Sequence, residues 1–314
     1  MARTFFQRAS SGFRTVQGEL IRKIQTPLKA GGFYEGTLDG VFGDRTERAL
    51  LAFQQGTSIP VTGKVDDQSW QQLTKTSLPD LKQRCLQVTA DFEGTGFTLA
   101  VGNFDGAGIT WGIIGFTLSN GELGGILEKI RDSHPDVFRQ AFGNLTDKLN
   151  SVLASSRAEQ LSFANSISLG SSKVNIRPEW KQAFFNLGLD PAAQAIQIQH
   201  TEPFFNIASR DVQRFNVMNE LGLALCFDIA VQNGGIDQTE AGRIRNKIDQ
   251  NPPTTQQELR TIIANVVAEN SRPRFIEDVR KRKLTFATGR GTVHGSQFDL
   301  KTWGLDDLPV DATS

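Results

Sequence analysis

Apolar residues recur at helical spacing early in the chain. Leu20, Ile24 and Leu28 mark one amphipathic stretch, and Ala49, Leu50 and Phe53 mark a second. Between them lies the glycine-rich run GGFYEGTLDGVFGD, where Gly40 and Gly43 permit a tight turn and Thr46 is positioned to cap the second helix. IPVTGKVDDQSWQQL then reads as a Pro/Gly turn followed by an Asp-capped helix carrying Trp70 and Leu73. The segment Ser77-Leu78-Pro79-Asp80 is a boundary, since Pro79 disfavours helix at the residue before it and Asp80 can cap the next helix. Residues 81–92 form an amphipathic helical stretch. After it the period changes: alternating runs from Phe97 to Val101 and from Ile109 to Phe116 flank Asp105-Gly106, a hairpin signal. Helices are predicted near residues 122–133, 136–142, 145–154, 178–186, 191–207, 210–233, 239–249, 255–270 and 274–283. The pattern predicts a small three-helix domain over residues 1–76, then a mainly α domain with one small β-hairpin sheet over residues 77–314.

Composition narrows the function classes. The 314 residues suffice for two domains, and 38% are hydrophobic, enough for packed cores. Thirty-four Lys and Arg balance 34 Asp and Glu, so no net field selects nucleic acid or a membrane surface. Cys85 and Cys226 sit in separate apolar stretches and read as buried thiols. His134, His200 and His294 are scattered, no metal-type spacing occurs, and the expectation is a protein without metal or cofactor. The amino terminus has positive charge but no apolar run of signal-peptide length, and no stretch is long enough to span a membrane. A protein made in the cytoplasm as a monomer, reaching any extracytoplasmic target through a holin or secretion system, is therefore expected.

Two carboxylates carry the candidate chemistry. Glu93 ends a helical segment between Phe92 and Phe97, surroundings able to desolvate a carboxyl; Asp105 sits in a glycine-rich turn that water can reach. One protonated acid and one charged base are what inverting glycoside hydrolysis requires. Asp91 is a surface or supporting acid, or a substitute for Glu93 if the helix ends elsewhere. Trp111 and Trp180 can line a sugar groove, with core packing the competing role. His200-Thr201-Glu202 could bring a polar pair to a cleft, and the basic run Arg280 to Lys283 reads as a solvated helix end or a contact for an anionic polymer. Gly289 to Gly295, GRGTVHG, lacks the spacing and context of a phosphate loop.

Two family resemblances sharpen these readings. The series Ile24-Gln25, Leu28, Gly32, Asp39-Gly40, Phe42-Gly43, Thr46, Ala49, Phe53-Gln54, Gly63, Val65, Trp70 and Leu73 resembles the three-helix peptidoglycan-binding domain of cell-wall hydrolases. Its ligand groove is sought among Tyr34, Asp39, Asp44 and Arg45. The stretch from Gly102 to Phe116, GNFDGAGITWGIIGF, resembles the hairpin of glycoside hydrolase family 46 chitosanases in the lysozyme superfamily. That resemblance implies Asp105 as general base, Thr110 as holder of the attacking water and Glu93 as general acid. It also implies Glu122 as a subsite acid, and residues 227–234 as a buried structural helix. The spacing from Glu93 to Asp105 is shorter than in those chitosanases. Together the resemblances imply a peptidoglycan hydrolase of lysozyme type, endolysin-like and bacteriolytic. The alternatives are a chitosanase, a lytic transglycosylase or a non-catalytic wall-binding component.

Overall fold

The computed structural model describes residues 3–94 and 96–310. The chain divides into two compact units, Met1–Phe92 with Phe204–Ser314, and Glu93–Pro203.

The first unit opens with β1 (Thr4–Phe6), α1 (Glu19–Ala30), α2 (Asp44–Gly56), β2 (Val65–Asp66), α3 (Asp67–Thr74) and α4 (Leu81–Phe92). The three predicted helices form, and Leu20, Ile24, Leu28, Leu50, Phe53 and Trp70 are buried as their spacing requires. β1, absent from the sequence reading, pairs antiparallel with β2 and buries Phe5 and Phe6. Gln25, fully buried, organises the glycine-rich loop. Its Nε2 donates to Asp39 Oδ1 (2.8 Å), and its Oε1 accepts from the Gly40 amide (2.8 Å). Gly40 has φ 72°, and a Cβ there would lie 2.8 Å from the Gly18 carbonyl, so glycine is required. Thr46 does not cap α2, which starts two residues earlier. It lies in the first turn, where its hydroxyl donates to the Val41 carbonyl (2.8 Å). Asp66 caps α3 by accepting from the Ser69 amide (2.8 Å), and Asp80 caps α4 through the Gln83 amide (2.7 Å). α4 is not amphipathic: Arg84 through Ala90 are all buried. Two of its buried polar side chains find partners: the Arg84 guanidinium meets Glu220 (3.1 Å) and Gln87 Oε1 accepts from the Leu20 amide (3.0 Å).

The second unit begins with β3 (Ala100–Val101), β4 (Thr110–Trp111) and β5 (Phe116–Thr117), a three-stranded antiparallel sheet in that order. The run expected as one strand from Ile109 to Phe116 breaks at Gly112 and Gly115, both with positive φ. Gly115 N donates to Gly112 O (3.0 Å), closing a turn that adds a third strand. Buried Gln197 braces this turn, accepting from the Ile113 amide (3.0 Å) and donating to the Phe97 carbonyl (3.1 Å). α5 (Glu122–Ser133), α6 (Pro135–Phe142), α7 (Thr146–Leu153), α8 (Arg157–Ile167), β6 (Ser168–Leu169), β7 (Asn175–Ile176), α9 (Pro178–Leu189) and α10 (Pro191–Gln199) come next. α8, which the periodicity did not reveal, starts with a capping box between Ser156 and Glu159. Trp111, Phe142, Phe163, Trp180 and Phe184 form the aromatic core of this unit.

The chain continues through α11 (Glu202–Phe215), α12 (Glu220–Asn233), α13 (Gln238–Gln250), α14 (Gln256–Glu269), α15 (Ile276–Thr288) and the hairpin β8 (Arg290–Val293) and β9 (Ser296–Asp299). The two long helices expected over residues 191–233 are three. The chain breaks at Asn216, in the left-handed region with φ 53°, and restarts where Asn219 caps α12 through the Gly222 amide (2.7 Å). α12 is buried from Glu220 to Ala230, and Phe227 stacks on Phe205 with centroids 3.8 Å apart. His294 and Gly295, both with positive φ, make the tight turn of the β8–β9 hairpin. Both cysteines are buried free thiols. No helix among the described residues is long and apolar enough to cross a membrane.

Candidate functional site

The small sheet has two chemically distinct faces. Register places Ala100 opposite Trp111 and Trp111 opposite Phe116, and all three are buried. One residue along, Val101 pairs with Thr110 and Thr110 with Thr117, and these three are half-exposed. Directly opposed residues share a face, so Thr110 stands on the outer face of the sheet. Glu122, first residue of α5 and half-exposed, accepts from the Thr117 amide (3.4 Å), which ties a carboxylate to β5, the strand beside that of Thr110.

Asp105 lies on the loop 102–109 that joins β3 to β4. Asn103 is its bracket: buried, it donates from its backbone amide to Ser168 Oγ (2.9 Å) and from Nδ2 to Asn165 Oδ1 (3.0 Å). Its Oδ1 accepts from the Gly108 amide (2.8 Å). The Gly102 amide adds a bond to the Val174 carbonyl (2.8 Å). Held at both ends, residues 104–106 are exposed. Asp105 Oδ1 accepts from the Ala107 amide (2.9 Å), the local turn expected of an Asp-Gly pair, and no hydrogen bond takes its other oxygen among the described residues.

Glu93 comes directly after α4 and is half-exposed, in a turn with Gly94 at φ 64°. The ring of Phe92 packs into the core against Phe286 (4.9 Å) and Phe298 (4.7 Å). Asp91 is not a substitute acid. Its side chain is 4% exposed and engaged by Arg14 at 3.0 Å and by Gln17.

Trp111 is corrected to a core residue: it has no exposed surface, and its Nε1 donates to the Phe184 carbonyl (3.1 Å). Trp180 is likewise buried. Thr201 donates to the Ile198 carbonyl (2.6 Å), a bond local to the chain. The basic run is also corrected. Arg282 and Lys283 turn inward and hold buried Asp228 (both 2.6 Å), while exposed Glu277 takes Arg280. Burial alone would raise the Asp228 carboxyl, but the two cations overcome it and hold the group below the usual carboxylate range. The Asp228 cluster carried no signal in sequence, because its members lie 54 and 55 positions apart.

Of the four groove candidates near the amino terminus, the structure brings two together. Tyr34 and Arg45 line a concavity of about 430 Å³ with Phe33, Glu35, Gly36 and Arg48. Asp39 accepts from Gln25 and from the Val41 amide (2.9 Å) through Oδ1 and does not line the concavity, and Asp44 pairs with Arg8 (3.2 Å) and Arg48. Tyr34 is itself buried, with its hydroxyl donating to the Thr37 carbonyl (3.0 Å), so it shapes the wall of the concavity. Among the described residues no three His, Cys, Asp or Glu side chains converge to share a cation.

Comparison with known proteins separates the two parts of the chain. Residues 17–73 match the family described as putative peptidoglycan binding domain. The spore cortex-lytic enzyme of Bacillus cereus is 40% identical over 67 residues, covering 21% of this chain; the chain spans about a quarter, 26%, of that relative's length. The native chitosanase of Bacillus subtilis MY002 aligns with TM-score 0.50 at 16% identity, over 70% of this chain and 97% of that one. A family 46 chitosanase of Gynuella sunshinyii, solved with chitotetraose, aligns with TM-score 0.48 at 16% identity, over 71% and 98%. The mainly α fold with a small sheet is thus similar to that of the Bacillus subtilis chitosanase over 70% of the chain, and residues 17–73 are similar to peptidoglycan-binding domains, as their signature residues implied.

Proposed function

We propose that this protein hydrolyses the glycan strand of bacterial peptidoglycan, with residues 1–76 binding the wall and residues 77–314 carrying the chemistry. The observation that supports this most is the presentation of Asp105. An exposed carboxylate with one oxygen uncommitted among the described residues sits on a loop fixed at both ends, and Thr110 occupies the outer face of the next strand. In the proposed reaction Glu93 gives its proton to the glycosidic oxygen as the bond to the anomeric carbon breaks. Asp105 takes a proton from a water that attacks that carbon on the opposite face, inverting it. Thr110 holds the water, and Glu122 accepts from a substrate amide or amine.

The substrate assignment rests on the wall-binding match over residues 17–73 and on the chain's zero net charge. A polycation such as chitosan is best served by an acidic surface, and a largely N-acetylated glycan needs none. At the concavity, Arg45 and Arg48 are suited to carboxylates of the stem peptide. The protein works as a monomer on the wall after delivery through a holin or secretion system.

Incubation with purified peptidoglycan and, separately, with chitosan tests the reading, with products resolved by mass spectrometry. Hydrated reducing ends released from peptidoglycan are expected. Cleavage of chitosan alone would make the protein a chitosanase, and anhydro-sugar ends would make it a lytic transglycosylase.

A further inference from the structure

The loop that presents Asp105 also presents an aromatic ring. Phe104 is 52% exposed, although burying a Phe side chain is worth about 1.5–3 kcal/mol. Its exposure is imposed by the bracket described above. Asn103 is pinned inward, the Phe104 amide donates back to the Gly102 carbonyl (2.9 Å), and the ring stays exposed on the residue next to Asp105. A mobile loop could fold such a ring away, but this one is held. The surroundings are apolar as well. Leu99 precedes β3, while Leu169 and Val174 belong to the β6–β7 hairpin whose Ser168 Oγ and Val174 carbonyl receive the loop's hydrogen bonds. All three are exposed large apolar residues. All four exposed apolar residues thus lie on segments joined by hydrogen bonds to the loop of Asp105.

We infer that Phe104 is a substrate-positioning residue, its ring packing against the C–H face of an N-acetylated pyranose in the subsite next to Asp105. This rests on the assignment of Asp105 as base. The chemistry fits, because a pyranose offers an apolar ring face together with hydroxyls that stay in water, and aromatic rings bind amphipathic groups with one face apolar and the edges wet. A ring one residue from the base fixes the height and tilt of the sugar whose anomeric carbon the water attacks.

The test uses the full chain and soluble glycan strands freed of stem peptides, so that the amino-terminal concavity does not dominate binding. Phe104→Ala is expected to raise KM about five- to tenfold with kcat changed less than about twofold and the thermal midpoint unmoved. Phe104→Trp should restore KM and Phe104→Leu should not, since it keeps apolarity without a ring. Unchanged KM in Phe104→Ala, or full rescue by Leu, overturns the inference. Asp105→Asn assayed in parallel separates the two claims. If it is inactive while Phe104→Ala is normal, only the ring's role fails; if it is fully active, the assignment of the base fails.

Discussion

Arg14 grips Asp91 through two parallel hydrogen bonds, Nε to Oδ2 and Nη2 to Oδ1, each 3.0 Å. The pair fastens the segment leading into α1 to the last turn of α4, two residues before Glu93. Further bonds along the same seam join Leu20 N to Gln87 Oε1 (3.0 Å) and Arg14 N to the Gln297 carbonyl (2.6 Å). A binding module on a loose linker raises local substrate concentration only as its linker allows. Here the residues similar to peptidoglycan-binding domains are packed into the same compact unit as α4. Arg14→Ala strips a nearly buried carboxylate of its guanidinium, and a loss of about 1–3 kcal/mol is expected. Denaturant unfolding measures it, and an unmoved midpoint would show that the pair contributes nothing.

Asp228 makes a stronger claim on stability. Its carboxylate is fully buried between Arg282 and Lys283, and removing one member of such a cluster leaves charge unpaired in the core. Asp228→Asn is expected to cost about 3–5 kcal/mol. The sign of the pH dependence comes from the depressed carboxyl. The stabilisation is present above the unfolded carboxylate value, about 3.9, and is lost as pH falls through the lower folded value. Wild type should therefore lose stability in acid more steeply than Asp228→Asn, as thermal midpoints measured from neutral to acid pH will show.

Those two relationships also show what was legible in the sequence. The wall-binding segment could be read because its signature is local: Gln25, Asp39, Gly40 and Thr46 close one loop within about one helix and one turn of each other. The loop of Asp105 was legible for the same reason. Asp228 with Lys283, and Arg14 with Asp91, were not, because nothing in a local window distinguishes a charge that turns inward from one that faces water. The third strand was missed because Ile113 and Ile114 are both buried, so a turn held by distant Gln197 looked like part of an apolar strand. Sequence leaves Trp111 between sugar groove and core for a related reason: aromatic character does not say which face of a strand is buried.

Gly112 tests the bracing of the sheet. Its φ of 91° strains any side chain, and a Cβ would lie 2.4 Å from Gln197 Oε1. Gly112→Ala should destabilise by about 1–3 kcal/mol. Hydrolysis of peptidoglycan should fall further than binding to it, and parallel solubilisation and pull-down assays compare the two. Equal losses would contradict a local role for this turn.

Arg45 tests the amino-terminal concavity. The side chain is exposed at its rim, and no hydrogen bond or ion pair engages it among the described residues. Arg45→Glu reverses its charge and should weaken binding to purified peptidoglycan about tenfold, a change of about 1.4 kcal/mol. Sedimentation with intact walls measures this, and amidase-treated walls lacking stem peptides should erase the difference. Undiminished binding by the variant would move the wall contact elsewhere.

The central claim is that Glu93 and Asp105 act as acid and base on a glycan. Its most direct test is the rate at which purified peptidoglycan is solubilised by wild type, Glu93→Gln and Asp105→Asn, with wall binding and thermal midpoints measured on the same samples. Rates lowered about 10²–10⁴-fold are expected in each variant, with binding and folding intact. Solubilisation at the wild-type rate by either variant would contradict the claim.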